Sequence, residues 1–129
     1  MVAMGDRFHI LIVDDAETVR KPLRQLLEMN GFRVSEASNG IEGLAVARAN
    51  ASSLKLVIAD YNMPQLDGIS MAAKLRAEKL DIPTVILTTE LTSELKARAK
   101  SVGAKAWILK PYHADVLLET IKVLLHATP

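Results

Sequence analysis

Two carboxylates stand side by side at Asp14 and Asp15, with Glu17 close behind, at the end of the apolar run FHILIV. A third carboxylate, Asp60, ends the run LKLVIA. A hydroxyl, Thr88, ends VIL, and an ammonium, Lys110, ends AKAWIL. Neighbouring carboxylates repel and hold one another's protons, so such a group calls for a cation. An all-oxygen donor set suits magnesium: Mg²⁺ takes one or two carboxylates and keeps several waters. A divalent ion screens the repulsion and leaves one carboxylate able to attack an electrophile. A carboxylate that accepts phosphoryl becomes an aspartyl-phosphate, and the metal, the Lys110 ammonium and the Thr88 hydroxyl would then neutralise the phosphoryl oxygens. Singly, each residue has an ordinary role. Aspartate and threonine at a strand end commonly cap the next helix, and a lysine before a proline is usually a solvated chain end. Their recurrence at the ends of four apolar runs argues for one site.

That argument depends on the elements that carry them. FHILIV (8–13) reads as a strand, and ETVRKPLRQLLEMNG follows as a helix, with Leu23, Leu26 and Leu27 at helical spacing and Gly31 as a stop. Pro22 falls inside this helix unless the helix starts late; near the first turn it costs little, further in it would kink the helix. Residues 32–37 alternate like a strand, 39–49 read as a short helix, and 54–59 form a buried-type strand. Residues 67–79 are predicted helical, 82–87 a strand, 93–102 a helix capped by Thr92, 104–109 a strand and 115–126 the last helix. Strand then helix, five times over, predicts an α/β fold with a parallel sheet covered on both faces. Right-handed crossovers put every strand's carboxyl end on one edge, the usual ligand crevice of an open sheet. Asp14, Asp15, Asp60, Thr88 and Lys110 would converge there.

Composition limits the alternatives. A chain of 129 residues is expected to form a single domain, 1–129; only Ala127, Thr128 and Pro129 follow the last predicted helix, so no second domain is expected. There is no cysteine, which removes disulfides, cysteine zinc sites and thiol chemistry and suits a reducing compartment. The N-terminal MVAMGDRFHI shows no secretory signal, and no apolar run reaches membrane-spanning length; a cytoplasmic protein without a membrane partner is expected. A net charge of +1, dispersed basic residues and 4% aromatics argue against a nucleic-acid surface. The chain carries no G-x-x-x-x-G-K-[ST], G-x-G-x-x-G or H-E-x-x-H. His9, His113 and His126 lack metal-ligand spacing and are expected at the surface or at helix ends.

The segments ILIVDD, VIADYNMPQLDG, VILTTE and GAKAWILKPY, spread over residues 10–112, resemble the receiver domains of bacterial two-component response regulators, in particular the stand-alone chemotaxis (CheY-like) type. The resemblance implies a (βα)5 flavodoxin-like fold, five parallel strands in the order 2-1-3-4-5 flanked by five helices. It implies Asp60 as phosphoacceptor. Asp15 would bind Mg²⁺ directly, Asp14 mostly through water, and the Asn62 backbone carbonyl would be a further ligand. Thr88 would bond the phosphoryl group and move toward it, and Lys110 would pair with a phosphoryl oxygen. Trp107 would be the switch aromatic that swings inward with Thr88. Gly68 would permit the turn before the third helix, and Lys110–Pro111 would be a cis bond. Thr89 and Glu90 occupy positions beside the active threonine; Asn62 and Glu90 match residues that influence dephosphorylation in the chemotaxis type. Trp107 is larger than the usual Tyr or Phe, Thr89 bulkier than the usual Ala or Gly, and Pro22 unusual in the first helix.

The function implied is a monomeric response regulator receiver that takes phosphoryl on Asp60 from a sensor histidine kinase (CheA-like). It would switch a protein-binding surface on helix 4, strand 5 and helix 5, with a flagellar motor switch or a phosphatase as output partner. It would turn over no outside substrate. In the last helix Leu117, Leu118, Ile121, Leu124 and Leu125 should face the sheet, while Val116, Thr120 and Val123 form a second stripe. Lys96 and Lys100 would add charge beside it. A phosphate sink or phosphorelay intermediate is the alternative. A flavodoxin-like flavin-binding electron carrier would need a hydroxyl- and glycine-rich loop after the first strand, where DDAE stands. A phosphatase with an aspartate nucleophile would show D-x-D, which DDAET does not match.

Overall fold

The computed structural model describes residues 8–127. Residues 1–7, on which part of the expected absence of a secretory signal rests, and Thr128 and Pro129 lie outside the described residues. Five strands alternate with five helices: β1 (His9–Val13), α1 (Glu17–Met29), β2 (Arg33–Ala37), α2 (Gly40–Ala49), β3 (Leu54–Asp60), α3 (Gly68–Ala77), β4 (Thr84–Thr88), α4 (Ser93–Ser101), β5 (Ala106–Leu109) and α5 (Ala114–Ala127). All pairings are parallel, and the sheet order is β2-β1-β3-β4-β5. This is the fold and the strand order expected.

Two apolar layers sandwich the sheet. Alternate side chains of a strand point to opposite faces, so Leu11 and Val13 join α2, α3 and α4 through Leu44, Met71, Leu75 and Leu95. Ile10 and Ile12 join α1 and α5 through Leu23, Leu27, Leu117, Ile121 and Leu125. The central strands β1 and β4 are buried along their whole length, as strands covered on both faces must be.

Local chemistry explains the boundaries. Asn39, Asp67 and Thr92 each accept a bond from the backbone N–H three residues on, capping α2, α3 and α4. Strand β4 starts at Thr84, two residues after the predicted start, because Pro83 has no N–H for the ladder. Strand β5 starts at Ala106 because the Ala104 N–H closes α4 on the Ala99 carbonyl after left-handed Gly103 (φ 85°). Helix α3 stops at Ala77, and Lys79 adopts φ 59°. Helix α1 does not start late: Pro22 is its sixth residue, exposed, and the helix runs on to Met29.

One expectation fails. His9 is not a surface residue; it is buried at the start of β1, 4% exposed. Its Nδ1 lies 3.0 Å from Ser53 Oγ and its Nε2 2.7 Å from Ser35 Oγ. Strand β1 is buried along its whole length, and the imidazole is tolerated because both ring nitrogens have partners. Burial, with Arg33 adding to it, holds the ring below the ordinary histidine value. His113 and His126 are exposed, as expected.

Candidate functional site

The carboxyl ends of β1, β3, β4 and β5 bring the predicted residues to one edge. Asp14 follows β1, Asp60 closes β3, Thr88 closes β4 and Lys110 follows β5. Asp14, Asp15 and Asp60 each offer a carboxylate oxygen, and the three oxygens lie within 4.8 Å of one another. Lys110 Nζ sits 2.7 Å from Asp60 Oδ1 and 3.9 Å from Asp14 Oδ2. Asp14 and Asp60 are buried and Asp15 is exposed, so the cluster has a dry floor and a wet rim.

The Asp14 carboxyl is anchored on one side only. Its Oδ1 accepts from the Ala16 N–H at 2.9 Å. Its Oδ2 is buried with no hydrogen-bond partner among the described residues. Burial pushes its pKa above the usual carboxylate range, the Asp60 and Asp15 charges push the same way, and the Ala16 N–H and Lys110 oppose them. An orphaned, buried oxygen beside two other carboxylates is costly unless a cation completes it. The all-oxygen donor set fits a hard divalent ion and does not fit a soft one.

The walls are specific. Thr88 is buried, and its Oγ1 accepts from the Glu90 N–H at 3.1 Å, so the hydroxyl proton remains to donate elsewhere. Thr89 and Glu90 are exposed at the rim, as is Asn62. Trp107 is half-buried and packs against the α2–α3–α4 layer. Lys110–Pro111 is cis, as expected. Gly68 is required for a reason other than the turn that was expected to need it. Its backbone is not left-handed; a Cβ there would lie 2.4 Å from the Asp60 carbonyl oxygen. The Gly68 N–H bonds the Tyr61 carbonyl at 3.1 Å, pinning α3 beneath the acceptor loop.

Three neighbours escaped the sequence reading. Arg20 Nη1 donates to the Asp14 carbonyl at 2.5 Å, and Arg20 Nε to Glu36 Oε1 at 3.3 Å. The signal available was Arg20 and Arg24, four apart on one face of α1, with Glu36 on the adjacent strand. Tyr112 follows the cis proline; burial raises its phenol, with Lys110 opposing and Asp14 reinforcing the shift. Arg98 of α4 donates to the Tyr61 hydroxyl at 3.1 Å, linking the residue after Asp60 to α4. Tyr112 closes the segment GAKAWILKPY, which gave it no role, and Arg98 carries no sequence pattern that marks it.

The description "response regulator receiver domain" matches residues 10–122. The chain is 34% identical over 119 residues to chemotaxis protein CheY1 of Helicobacter pylori, covering 90% of this chain and 95% of that one. It is 37% identical over 120 residues to response regulator MprA of Mycobacterium leprae, covering 92% of this chain and 51% of that longer one. Among solved structures, chemotaxis protein CheY4 of Vibrio cholerae superposes with a TM-score of 0.84 at 32% identity, over 91% of this chain and 98% of that one. With these likenesses spanning the acidic edge and the sheet that builds it, the chain belongs to the response regulator receiver domain family.

Proposed function

We propose that this chain is a phosphorylation-controlled binding module with Asp60 as acceptor. The observation that carries the reading is the cluster itself: three carboxylate oxygens within 4.8 Å, Lys110 on Asp60, and a buried Asp14 oxygen without a hydrogen-bond partner among the described residues. Asp14, Asp15, Asp60 and the Asn62 backbone carbonyl would hold Mg²⁺. When bound, Mg²⁺ supplies charge neutralisation for the carboxylates and the incoming phosphoryl oxygens. An Asp60 oxygen attacks the phosphorus of a phosphohistidine on a sensor histidine kinase. The new O–P bond forms as the P–N bond breaks, and the imidazole leaves. Lys110, already beside Asp60, pairs with a phosphoryl oxygen, and the Thr88 hydroxyl donates to another. Water attack on phosphorus breaks the Asp60 O–P bond, returns the carboxylate and releases inorganic phosphate, with Thr89, Glu90 and Asn62 at the rim setting the water's access. No outside substrate is turned over.

Phosphorylation would draw Thr88 inward and Trp107 after it, biasing a two-state equilibrium of the α4–β5–α5 face. That face exposes Leu109, Val116 and Val123 at 47%, 53% and 56%, with Lys96 and Lys100 exposed on α4. Val116 and Thr120 flank a shallow recess beside Trp107 and Pro111. As expected, Leu117, Ile121 and Leu125 are buried against the sheet, and Leu118 and Leu124 pack on the same layer. Likeness to CheY1 favours chemotaxis output, a flagellar motor switch or a phosphatase, from a cytoplasmic monomer. Likeness to MprA, which is about twice as long, favours use of the same receiver chemistry in other regulators; a phosphate sink or relay is the second reading. Among the described residues no helix is long and apolar enough to cross a membrane.

The test is intact mass and released phosphate, followed together, with acetyl phosphate and Mg²⁺. Wild type should gain one phosphoryl or release phosphate in an Mg²⁺-dependent way, and Asp60→Asn should do neither. Absence of both in wild type would overturn the reading. Val116→Asp should leave phosphorylation intact and weaken capture of the output partner about tenfold or more; equal capture would remove the proposed face.

A further inference from the structure

Arg20 has no part in the chemistry proposed above, yet it is bonded to the acidic pair's own backbone. Its side chain is 15% exposed, and its guanidinium bridges two elements: Nη1 to the Asp14 carbonyl and Nε to Glu36 on β2. Glu36 is itself held by Arg24 Nη1 at 2.6 Å. On the other side, the Asp14 N–H bonds the Ala37 carbonyl of β2 at 3.1 Å. Asp14 is therefore fixed through its N–H, its side chain and its carbonyl.

A peptide group is planar, so a bond to the Asp14 carbonyl also fixes the plane that carries the Asp15 N–H and Cα. Asp15 depends on this. It is exposed, and its carboxylate makes no hydrogen bond to another described residue. Its side chain springs from the backbone that Arg20 holds. Arginine suits the position because its rigid fork reaches two acceptors in different directions at once, which a lysine ammonium on a flexible stem does less well. A lone guanidinium here would also repel an incoming cation. Glu36 offsets that charge while leaving the hydrogen-bond geometry in place.

We infer that Arg20, oriented by Glu36, is a positioning residue that holds the Asp14–Asp15 peptide so that both carboxylates face one divalent cation. The inference rests on the reading of the cluster as a cation site.

The experiment is calorimetric titration of the whole chain with Mg²⁺, for wild type, Arg20→Met and Arg20→Lys, with thermal unfolding of each in the absence of metal. Removal of an outer partner that orients ligands typically weakens metal binding 10–100-fold, so Arg20→Met should bind Mg²⁺ about tenfold more weakly. Arg20→Lys should recover part of that loss, because one donor can still reach the carbonyl. An unchanged constant with a lowered melting temperature would show a purely structural role and overturn the inference. Tighter binding in Arg20→Met would show Arg20 to be only a repelling charge, and would overturn it equally. If Arg20→Met does not fold, Arg20→Lys decides alone: weaker binding supports the inference and wild-type binding ends it. Wild type that takes up no Mg²⁺ would remove the cation site and the inference with it. Wild type that binds, beside variants that bind equally, would remove the inference alone.

Discussion

The two ends of β1 treat a buried polar side chain in opposite ways. At the amino end His9 is enclosed and fully paired, one ring nitrogen on Ser35 and the other on Ser53. Five residues on, Asp14 is enclosed to the same degree, and one of its oxygens has no hydrogen-bond partner among the described residues, with Lys110 Nζ 3.9 Å away. Both sit at the ends of the interior strand β1 and are 4–5% exposed, so burial alone does not separate them. Satisfaction does. A buried polar group with all its partners is architecture, whereas one without them is costly to bury and marks a candidate binding position. The amino end of β1 is thus satisfied internally, while its carboxyl end opens on the candidate cation site.

The largest test of this contrast is His9→Ala. It removes a buried ring and leaves two hydroxyls without their partner, and should cost about 3 kcal/mol of unfolding free energy in urea. A loss under about 1 kcal/mol would mean that the amino edge is as tolerant as an ordinary surface. Asp14→Asn should act with the opposite sign. It keeps the acceptor for the Ala16 N–H and removes a charge that burial, Asp60 and Asp15 all disfavour. The metal-free chain should gain about 1 kcal/mol, as substitutions in strained sites often do. It should also lack the stabilisation that millimolar Mg²⁺ is expected to give wild type, since only a native state that binds is stabilised by mass action. Destabilisation of the metal-free chain would erase the contrast.

The smallest effect is a pH slope. Burial and Arg33 hold the native His9 pKa below 6.5, so as pH falls the unfolded chain takes up this proton first. The stability that neutral His9 contributes is complete above pH 6.5 and is lost as pH falls through 6.5 toward the lower native value. Urea midpoints at successive pH values should decline across that window in wild type, and His9→Gln should flatten the decline. An equal slope in the variant would assign the decline to other groups.

Much of this arrangement is legible in the residue order. Alternating apolar runs and helical spacings are local signals, and they place five strands and five helices with ends displaced by only a few residues. Asp14, Asp15, Asp60, Thr88 and Lys110 are legible because each follows an apolar run. Once the sheet is parallel, strand ends share an edge. Thr92 and Asp67 are legible as helix starts because capping acts over three residues.

What tertiary structure alone decided involves partners far apart in sequence or spaces with no local signature. His9 reads as a polar residue at the start of a strand until Ser53, 44 residues away, and Ser35, 26 away, close on its ring. Gly68 reads as a turn residue until the fold lays the Asp60 carbonyl where a Cβ would go. Arg20 reads as one more helix charge until β2 delivers Glu36 and the end of β1 turns its carbonyl toward the guanidinium. The sequence by itself determined which residues reach the carboxyl edge, because period and chain direction are properties of the chain. Which of them are satisfied and which are left open was decided only by the packed fold, because hydrogen-bond satisfaction is a property of contacts between elements.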